Sequence, residues 1–222
     1  MSKKLIIVGN SAFSEIAKEY FNNDSNYEVV AFSVEKKFIK EKSLLGLPVV
    51  EFESLEKKFS PKNHSVYVAA TYTQLNRLRA RLSKESKDKG YKLASYISSN
   101  SFVWKNVKLG EHIFIFEDNT VQPFVEIKDN VLLWSGNHIG HHSTIQKNVF
   151  ISSHVCISGF CNIGENSFLG VNSTVSNNVI IQKNNWIGPN KTIMKNTKEN
   201  AFYRMDHPEE DEKSSLELFN LK

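Results

Sequence analysis

The sequence is poor in cysteine and has no long hydrophobic run. Cys156 and Cys161 are its only cysteines; they are too few for a disulfide framework and do not form a metal-binding pair. No segment approaches the roughly 20 apolar residues needed to cross a bilayer, and the N-terminus has no apolar segment of the signal-peptide type. We therefore expect a cytoplasmic protein with no membrane insertion and no metal.

The excess of one charge sign is also small. The 222 residues carry 28 basic and 24 acidic side chains, a net charge of +4, which gives no support for nucleic-acid binding. Hydrophobic residues make up 40% of the chain, which is enough to build the core of one large domain or two small ones.

What the sequence has in abundance is a repeat of six residues. From residue 97 onward, an aliphatic residue occupies every sixth position without a break. This period fits neither an α-helix nor a single strand, but it fits short strands joined by turns. Stacked coils align the inward side chains into a column, so we predict a parallel β-helix. The positions are Ile97, Val103, Leu109, Ile115, Val121, Ile127, Leu133, Ile139, Ile145, Ile151, Ile157, Ile163, Leu169, Val175, Ile181, Ile187 and Ile193.

The other places of the repeat are also patterned. A small or modest side chain stands four places after most of these aliphatic residues, and glycine directly follows several of them, as at Gly140 and Gly164. Asparagine is frequent elsewhere. Because glycine and asparagine tolerate positive φ, we expect both at tight corners of the coils.

Residues 1–95 follow a different pattern, in which short apolar strands alternate with helices. We predict strands near residues 5–8, 28–32, 47–50 and 65–70. The predicted helices cover residues 13–21 and about 73–89, and the second ends at Gly90. This alternation indicates an α/β domain with a small parallel sheet.

Ligands of such sheets bind at the carboxyl ends of the strands. The first strand leads through Gly9 into a helix whose N-terminal N–H groups suit a phosphate. A plain strand-to-helix turn is the alternative interpretation, since one glycine is not the Gly-x-Gly-x-x-Gly motif. The candidate sugar- or nucleotide-binding residues at this edge are Gly9, Asn10, Ser11, Ser33, Glu35 and Thr71.

An α/β domain joined to a hexapeptide β-helix resembles the sialic acid O-acetyltransferase and bacillosamine N-acetyltransferase family of sugar acyltransferases. The matching stretches are residues 6–11, 44–49, 76–79 and 89–97. The resemblance implies a left-handed parallel β-helix, a homotrimer with active sites between subunits, and a role in cell-surface glycan synthesis. It also implies acetyl-CoA as co-substrate and an amino sugar or nucleotide sugar as acceptor.

The sequence pattern divides the chain into three segments, and the resemblance implies the roles of the first two. Residues 1–95 would form a Rossmann-like domain that binds the sugar or nucleotide, and residues 96–198 the acyltransferase β-helix. Residues 199–222 would form a C-terminal arm, in which we expect a helix from about 210 to 219.

Histidines cluster at His138, His141 and His142, and histidine is a natural base near neutral pH. The resemblance places the general base in an Ile-x-His pattern, which is met by His141. Two residues differ from the family: His142 stands where a carboxylate often orients the base, and Trp134 stands where asparagine is common. We therefore consider His142 as an alternative base. Asn137 or an acidic residue of another subunit would orient the ring, unless the mechanism differs. His112 and His207 are expected to be exposed.

Coenzyme A would lie along the wall of the β-helix. One coil beyond His141, the backbone N–H of Gly159 is our candidate for the donor to the thioester carbonyl. The candidate coenzyme-binding residues are Gly159, Gly170, Val171, Gly188, Lys191 and Lys195.

Other functions are kept as alternatives. The two-domain form looks closest to the N-acetyltransferase branch of the family, so we expect N-acetylation of an amino group on a nucleotide-linked deoxysugar, with sugar O-acetylation as the alternative. A zinc enzyme of the carbonic anhydrase type would need three converging histidines. A non-catalytic scaffold that binds a nucleotide sugar would need no base at all.

Overall fold

Two parallel β architectures follow each other along the chain. The computed structural model describes residues 2–206, 209–210, 212 and 214–219. A six-stranded sheet with three helices comes first, and a three-sided prism of short strands follows it.

The N-terminal domain has six strands: β1 (Lys3–Val8), β2 (Tyr27–Val34), β3 (Ser43–Leu44), β4 (Leu47–Glu51), β5 (His64–Val68) and β6 (Lys92–Leu93). They form one sheet in the order β3-β4-β2-β1-β5-β6, which is parallel except for the β3–β4 pair. Strand β1, in the interior of the sheet, is buried on both sides. Leu5 and Ile7 face one hydrophobic cluster, and Ile6 and Val8 face the other. The four predicted strands are confirmed, and two short ones are added. The helices of this domain are α1 (Ala12–Asn23), α2 (Leu55–Lys58) and α3 (Arg77–Asp88).

Helix α3 begins four residues later than predicted, although it does end before Gly90. The three residues before it, Gln74, Leu75 and Asn76, all have left-handed φ values between 51° and 66°. This conformation costs roughly 1–2 kcal/mol per residue. The fully buried Asn76 helps to offset the cost, because its Nδ2 donates to the backbone oxygens of Asn166 and Ser167 in the prism.

The prism has three faces, each a stack of parallel two-residue strands. The first face consists of Tyr96–Ile97, Phe114–Ile115, Leu132–Leu133, Phe150–Ile151, Phe168–Leu169, Trp186–Ile187 and Phe202–Tyr203. The second consists of Phe102–Val103, Thr120–Val121, His138–Ile139, Cys156–Ile157, Thr174–Val175 and Thr192–Ile193. The third consists of Lys108–Leu109, Glu126–Ile127, Thr144–Ile145, Asn162–Ile163 and Ile180–Ile181.

The aliphatic residues at every sixth position point inward as predicted. From Ile115 to Ile193, each aliphatic residue of the series is at most 5% exposed, and together they form one cluster. Ile97 and Leu109 in the first coil are 38% exposed because no further coil covers them. The parallel β-helix that the period predicted is therefore present.

The corners use left-handed backbone at every sixth residue, three places after the inward aliphatic residue. The glycines that directly follow the aliphatic residues do not have positive φ, so that part of the corner prediction was wrong. A Cβ on Gly140 or Gly164 would lie 2.5 Å from backbone atoms of the next coil, so these glycines are needed for close stacking. The corner residues are His112, Asp118, Phe124, Asn130, Gly136, His142, Asn148, His154, Phe160, Asn166, Asn172, Asn178, Asn184 and Asn190.

Aromatic residues cover the outside of the first face, where the N-terminal domain packs. Phe13 and Tyr20 of α1 lie against Phe114 and Phe116, with ring centroids 5.0 to 6.3 Å apart. Aromatic pairs of this kind add to the stabilisation that area burial supplies. The prism and the sheet therefore share one hydrophobic cluster.

The C-terminal segment first adds one more strand to the prism and then continues away from the prism. The strand Phe202–Tyr203 pairs with Trp186–Ile187, beyond residue 198. A short helix, α4 (Ser215–Leu218), begins at a capping box formed by Ser214 and Glu217. Residues 211 and 213 of the predicted longer helix lie outside the described residues. Within the part of the chain that the structure describes, no helix is both long and apolar enough to span a bilayer.

Candidate active site

His141 stands on the outside of the prism, directly before a corner. The strand His138–Ile139 of the second face carries it, and Ile139 is fully buried while His141 is exposed. The side-chain Oε1 of Gln122, on the preceding coil, accepts the backbone N–H of His141 at 2.9 Å. The coil below therefore fixes the backbone that presents the imidazole.

Gly159 lies directly against the imidazole, one coil further on. A Cβ at Gly159 would be 2.7 Å from Cε1 and 3.0 Å from Nε2 of His141. The absence of a side chain at residue 159 therefore makes room for the ring. The backbone N–H of Gly159 donates to Oδ1 of Asn177 at 2.9 Å, so this candidate oxyanion donor already has a partner.

The ring of His142 is held in an aromatic stack. It lies 4.6 Å from Phe124 and 4.8 Å from Phe160, with interplanar angles of 26° and 16°. We call this row of corner residues, Phe124, His142 and Phe160, the histidine edge; it lies where the second and third faces meet. The Nδ1 atoms of His141 and His142 are 3.1 Å apart, within hydrogen-bond distance.

Asn137 lies inside the prism and is 1% exposed. Its Nδ2 donates to the backbone oxygen of Trp134, and its Oδ1 accepts the N–H of Val155 at 2.8 Å. Both hydrogen-bonding groups of the amide are used to shape a coil corner, which corrects the expectation that Asn137 orients His141. Trp134 faces the N-terminal domain, where its ring lies 5.9 Å from that of Phe13, and it stacks on Phe116 of the prism.

The candidate coenzyme-binding residues fall into two groups. Lys195 and Gly159 lie in register with His141, spaced by whole coils of eighteen residues, and Lys195 is exposed. Gly170 and Gly188 instead follow strands of the first face. Val171, which follows Gly170, is 37% exposed.

Lys191 is already paired, because its Nζ contacts the carboxylate of Asp206. A coenzyme phosphate would have to compete with this surface ion pair, which is worth little. Lys195 is therefore the better placed of the two lysines.

A cavity of about 490 Å³ lies at the carboxyl ends of β1, β2 and β5. Five of the six residues predicted for this edge line it, namely Gly9, Asn10, Ser11, Glu35 and Thr71. Ser33 does not: it is fully buried, and its Oγ has no hydrogen-bond partner among the described residues.

Gly9 closes the cavity floor in a way that only glycine permits. Its φ is +141°, and a Cβ would lie 2.5 Å from Ser14 Oγ and 2.9 Å from the backbone oxygen of Ala69. The cavity also contains opposite charges. Lys40 lies in its wall, and Glu35 is paired with Arg81 at 3.1 Å.

A buried polar network joins this cavity to the prism. Arg79 of α3 donates to the backbone oxygens of Ala70 and Thr71 at 3.2 Å, and to Oδ1 of Asn130 at 3.2 Å. Its side chain is almost fully buried, and burial lowers its pKa to about 10, so it remains charged at neutral pH. A rigid joint thus holds the wall of the cavity against the prism.

His112 belongs to the same joint and is not exposed as expected. It is 2% exposed, its Nδ1 donates to Asn130 Oδ1 at 2.7 Å, and its Nε2 accepts the N–H of Val68 at 2.9 Å. Burial lowers its pKa to about 3, so it is neutral in the folded protein. Sequence reasoning missed this role because nothing local to His112 reports what packs on it. His207 lies outside the described residues.

No metal centre is evident in the part of the chain that is described. Among those residues, no group of three or more His, Cys, Asp or Glu side chains is arranged to hold a metal ion.

A fused α/β sheet and parallel β-helix is the architecture of the hexapeptide-repeat sugar acetyltransferases. The acetyltransferase domain of PglB from Neisseria gonorrhoeae superposes with a TM-score of 0.81 at 21% identity, covering 90% of this chain and 96% of that one. The same domain with acetyl coenzyme A gives 0.76 at 21% identity, covering 87% and 93%. PerB from Caulobacter crescentus, solved with CoA and GDP-perosamine, gives 0.77 at 20% identity, covering 90% and 91%.

These similarities confirm the predicted resemblance at the level of the fold, including the left-handed β-helix of this acyltransferase class. Residues 92–202 match the model of the family described as the GMPPB C-terminal domain. The chain belongs to this family. No curated protein sequence matches the chain.

Proposed function

We propose that this protein is an acetyl-CoA-dependent N-acetyltransferase whose acceptor is an amino sugar linked to a nucleotide. One observation carries the proposal: the fold agrees over nine-tenths of the chain with two acetyltransferases. One of them was solved with acetyl coenzyme A, and the other with CoA and GDP-perosamine. The Caulobacter protein is also described as a perosamine N-acetyltransferase, and forms with one histidine replaced have been solved.

The proposed reaction needs one base. The amine nitrogen of the sugar attacks the thioester carbonyl, a C–N bond forms, and the C–S bond to coenzyme A breaks. His141 takes the amine proton at Nε2 and returns it to the leaving thiolate, so no other reactant is required. The exposed imidazole beside Gly159 can perform both steps. General acid–base catalysis by one side chain accelerates such reactions by about 10²–10⁴-fold.

The acceptor would be held by the cavity at the end of the parallel sheet. Its floor leads into the first turn of the twelve-residue helix α1, where free N–H groups favour an anionic phosphate. Asn10, Glu35 and Thr71 supply the polar groups that a sugar or base would contact. We assign this nucleotide-binding role to a Rossmann-like domain of residues 1–95, and acyl transfer to residues 96–198.

The proposed coenzyme site requires more than one subunit. Gly159 and Lys195 accompany His141, whereas Gly170, Val171 and Gly188 follow the first face, so one molecule of coenzyme A would contact both groups only between neighbouring chains. The exposed rings of Phe124 and Phe160, 57% and 53% accessible, favour burial in such an assembly. We propose a homotrimer, which light scattering would report as three times the chain mass of 25.4 kDa.

The cellular setting follows from the proposed substrate. We place the enzyme in the cytoplasm, where acetyl-CoA and nucleotide sugars are available, and in the synthesis of cell-surface glycans. Because Phe202–Tyr203 still belongs to the prism, the arm expected for residues 199–222 would begin only after Tyr203. It would pack on the assembly through Leu218 and Phe219, which are exposed in the single chain.

The test is release of coenzyme A thiol from acetyl-CoA in the presence of GDP-, UDP- and dTDP-linked amino sugars and their hydroxyl counterparts. We expect turnover with an amino sugar, and a loss of kcat by about 10²–10⁴-fold in His141→Ala. His138→Ala, on the same strand, is the matched control and should keep its kcat. Turnover only with hydroxyl acceptors would establish O-acetylation instead. Absence of turnover with every acceptor would reject acetyl transfer, and normal kcat in His141→Ala would reject the base.

A further inference from the structure

The histidine pair presents a question of proton placement. The two Nδ1 atoms lie 3.1 Å apart, and their rings are nearly perpendicular at 88°. Two imidazole nitrogens at this distance can form a hydrogen bond only when one carries a proton and the other does not. The pair therefore has two possible arrangements, and they differ in which nitrogen of His141 remains free.

Only one arrangement leaves His141 able to accept a proton at Nε2. Gly159 faces the Cε1 edge of the ring, because a Cβ there would lie 2.7 Å from Cε1, 3.0 Å from Nε2 and 3.2 Å from Nδ1. Since Nδ1 is engaged by His142, Nε2 is the ring nitrogen left for a substrate. For Nε2 to be unprotonated in a neutral ring, the proton must be on Nδ1. His141 must then donate from Nδ1, and His142 must accept at its own Nδ1.

We propose that His142 is a positioning residue, whose Nδ1 holds His141 in the tautomer that is protonated at Nδ1. This inference rests on the function proposed above. Among the described residues no carboxylate forms a hydrogen bond with His141. Its backbone bonds Gln122 and Phe160, and its imidazole bonds His142. A neutral imidazole here takes the orienting role that a carboxylate plays in a Ser-His-Asp triad.

The histidine edge is built to keep His142 in place. Phe124 and Phe160 stack on its two faces, so the ring cannot rotate about its Cβ–Cγ bond without losing both contacts. His142 has a left-handed backbone, with φ of 58°. The phenylalanines thus act on His141 through His142, although Phe160 also meets the edge of the His141 ring at 5.0 Å.

Other residues of the prism corners suggest substitutions at His142 that remove or restore the hydrogen-bond acceptor and change little else. His142→Phe removes Nδ1 and retains the aromatic stack, and phenylalanine already occupies this corner position at Phe124 and Phe160 with φ values of 64° and 59°. His142→Asp restores an acceptor, and aspartate occupies an equivalent corner at Asp118 with φ of 57°. The control is His154→Phe, at a corner with the same φ of 57° on another edge.

The decisive measurement is ¹⁵N NMR of the histidine side chains in the full-length protein, with His141→Gln used to assign the signals. We expect His141 in the wild type to be protonated at Nδ1 and free at Nε2. In His142→Phe it should shift to the Nε2-protonated form that predominates in water, and in His142→Asp it should return. His154→Phe should leave the His141 signals unchanged.

Kinetics provide a second readout. Loss of one orienting hydrogen bond should lower kcat of His142→Phe about tenfold, with KM for both substrates almost unchanged, and His142→Asp should recover most of the loss. An unchanged His141 tautomer in His142→Phe would overturn the proposal whatever the activity. A changed tautomer with full kcat would overturn the positioning role. If the wild type transfers no acetyl group, the proposed function fails, and the NMR result still decides the hydrogen bond.

Discussion

Gly159→Ala is expected to displace the imidazole of His141 without disturbing the coil that carries it. The added Cβ would lie 2.7 Å from Cε1, whereas ordinary contact begins at 3.4 Å, so the ring must move by about 0.7 Å. Gly159 does not have positive φ, and each close contact of the new Cβ is with the end of a flexible side chain. Because a displacement near 1 Å can reduce a rate about 10²-fold, we expect kcat to fall about 10- to 100-fold.

The assay compares this variant with Gly164→Ala, in which a Cβ would meet backbone carbon and nitrogen of the next coil at 2.5 Å. We expect Gly164→Ala to lose stability by about 1–3 kcal/mol through overpacking. Gly159→Ala should instead keep the wild-type Tm in circular dichroism melts, with little change in KM. Wild-type kcat in folded Gly159→Ala would refute the claim that the ring must rest on residue 159.

Two further predictions concern the joint between the sheet and the prism. Arg79→Met removes donors to several buried oxygens and should lower the free energy of unfolding by about 2–4 kcal/mol, measured in urea; a loss below 0.5 kcal/mol would contradict the proposed joint. The second prediction concerns His112, whose pKa is about 3 in the folded protein and 6.5 ordinarily. Between pH 6.5 and 3 the unfolded chain therefore binds more protons than the folded one. The free energy of unfolding must then fall as the pH decreases from 6.5 toward 3. Between pH 7 and 5 this residue should contribute a loss of about 2 kcal/mol, which His112→Gln should abolish; an unchanged slope of stability against pH would show that His112 is not held neutral.

The repeat of six made the prism predictable from the sequence. Each short strand needs one inward aliphatic side chain, and this requirement is local. The aliphatic residues from Ile115 to Ile193 therefore indicate the strands one by one in the sequence. The edge of the parallel sheet was predictable for the same reason, because Gly9, Glu35 and Thr71 each follow a strand end. His141 was predicted only through the family resemblance, since its repeat position is shared by many exposed residues.

The docking of the two halves was not predictable in this way. The left-handed turn before α3, the buried Arg79 and the neutral His112 depend on which residues meet across the joint. Asn137 shows the same limit: an asparagine near a histidine suggested catalysis, but its position four places after Leu133 directs it into the interior.

The sequence by itself determined where each coil turns and which side chain of each strand points inward, because both depend on neighbours in the chain. Tertiary structure alone decided how the ring of His141 is held. Phe124 and Phe160, one coil before and one coil after His142, stack on the ring of His142, whose Nδ1 lies beside that of His141. Such positions are set only when the coils stack.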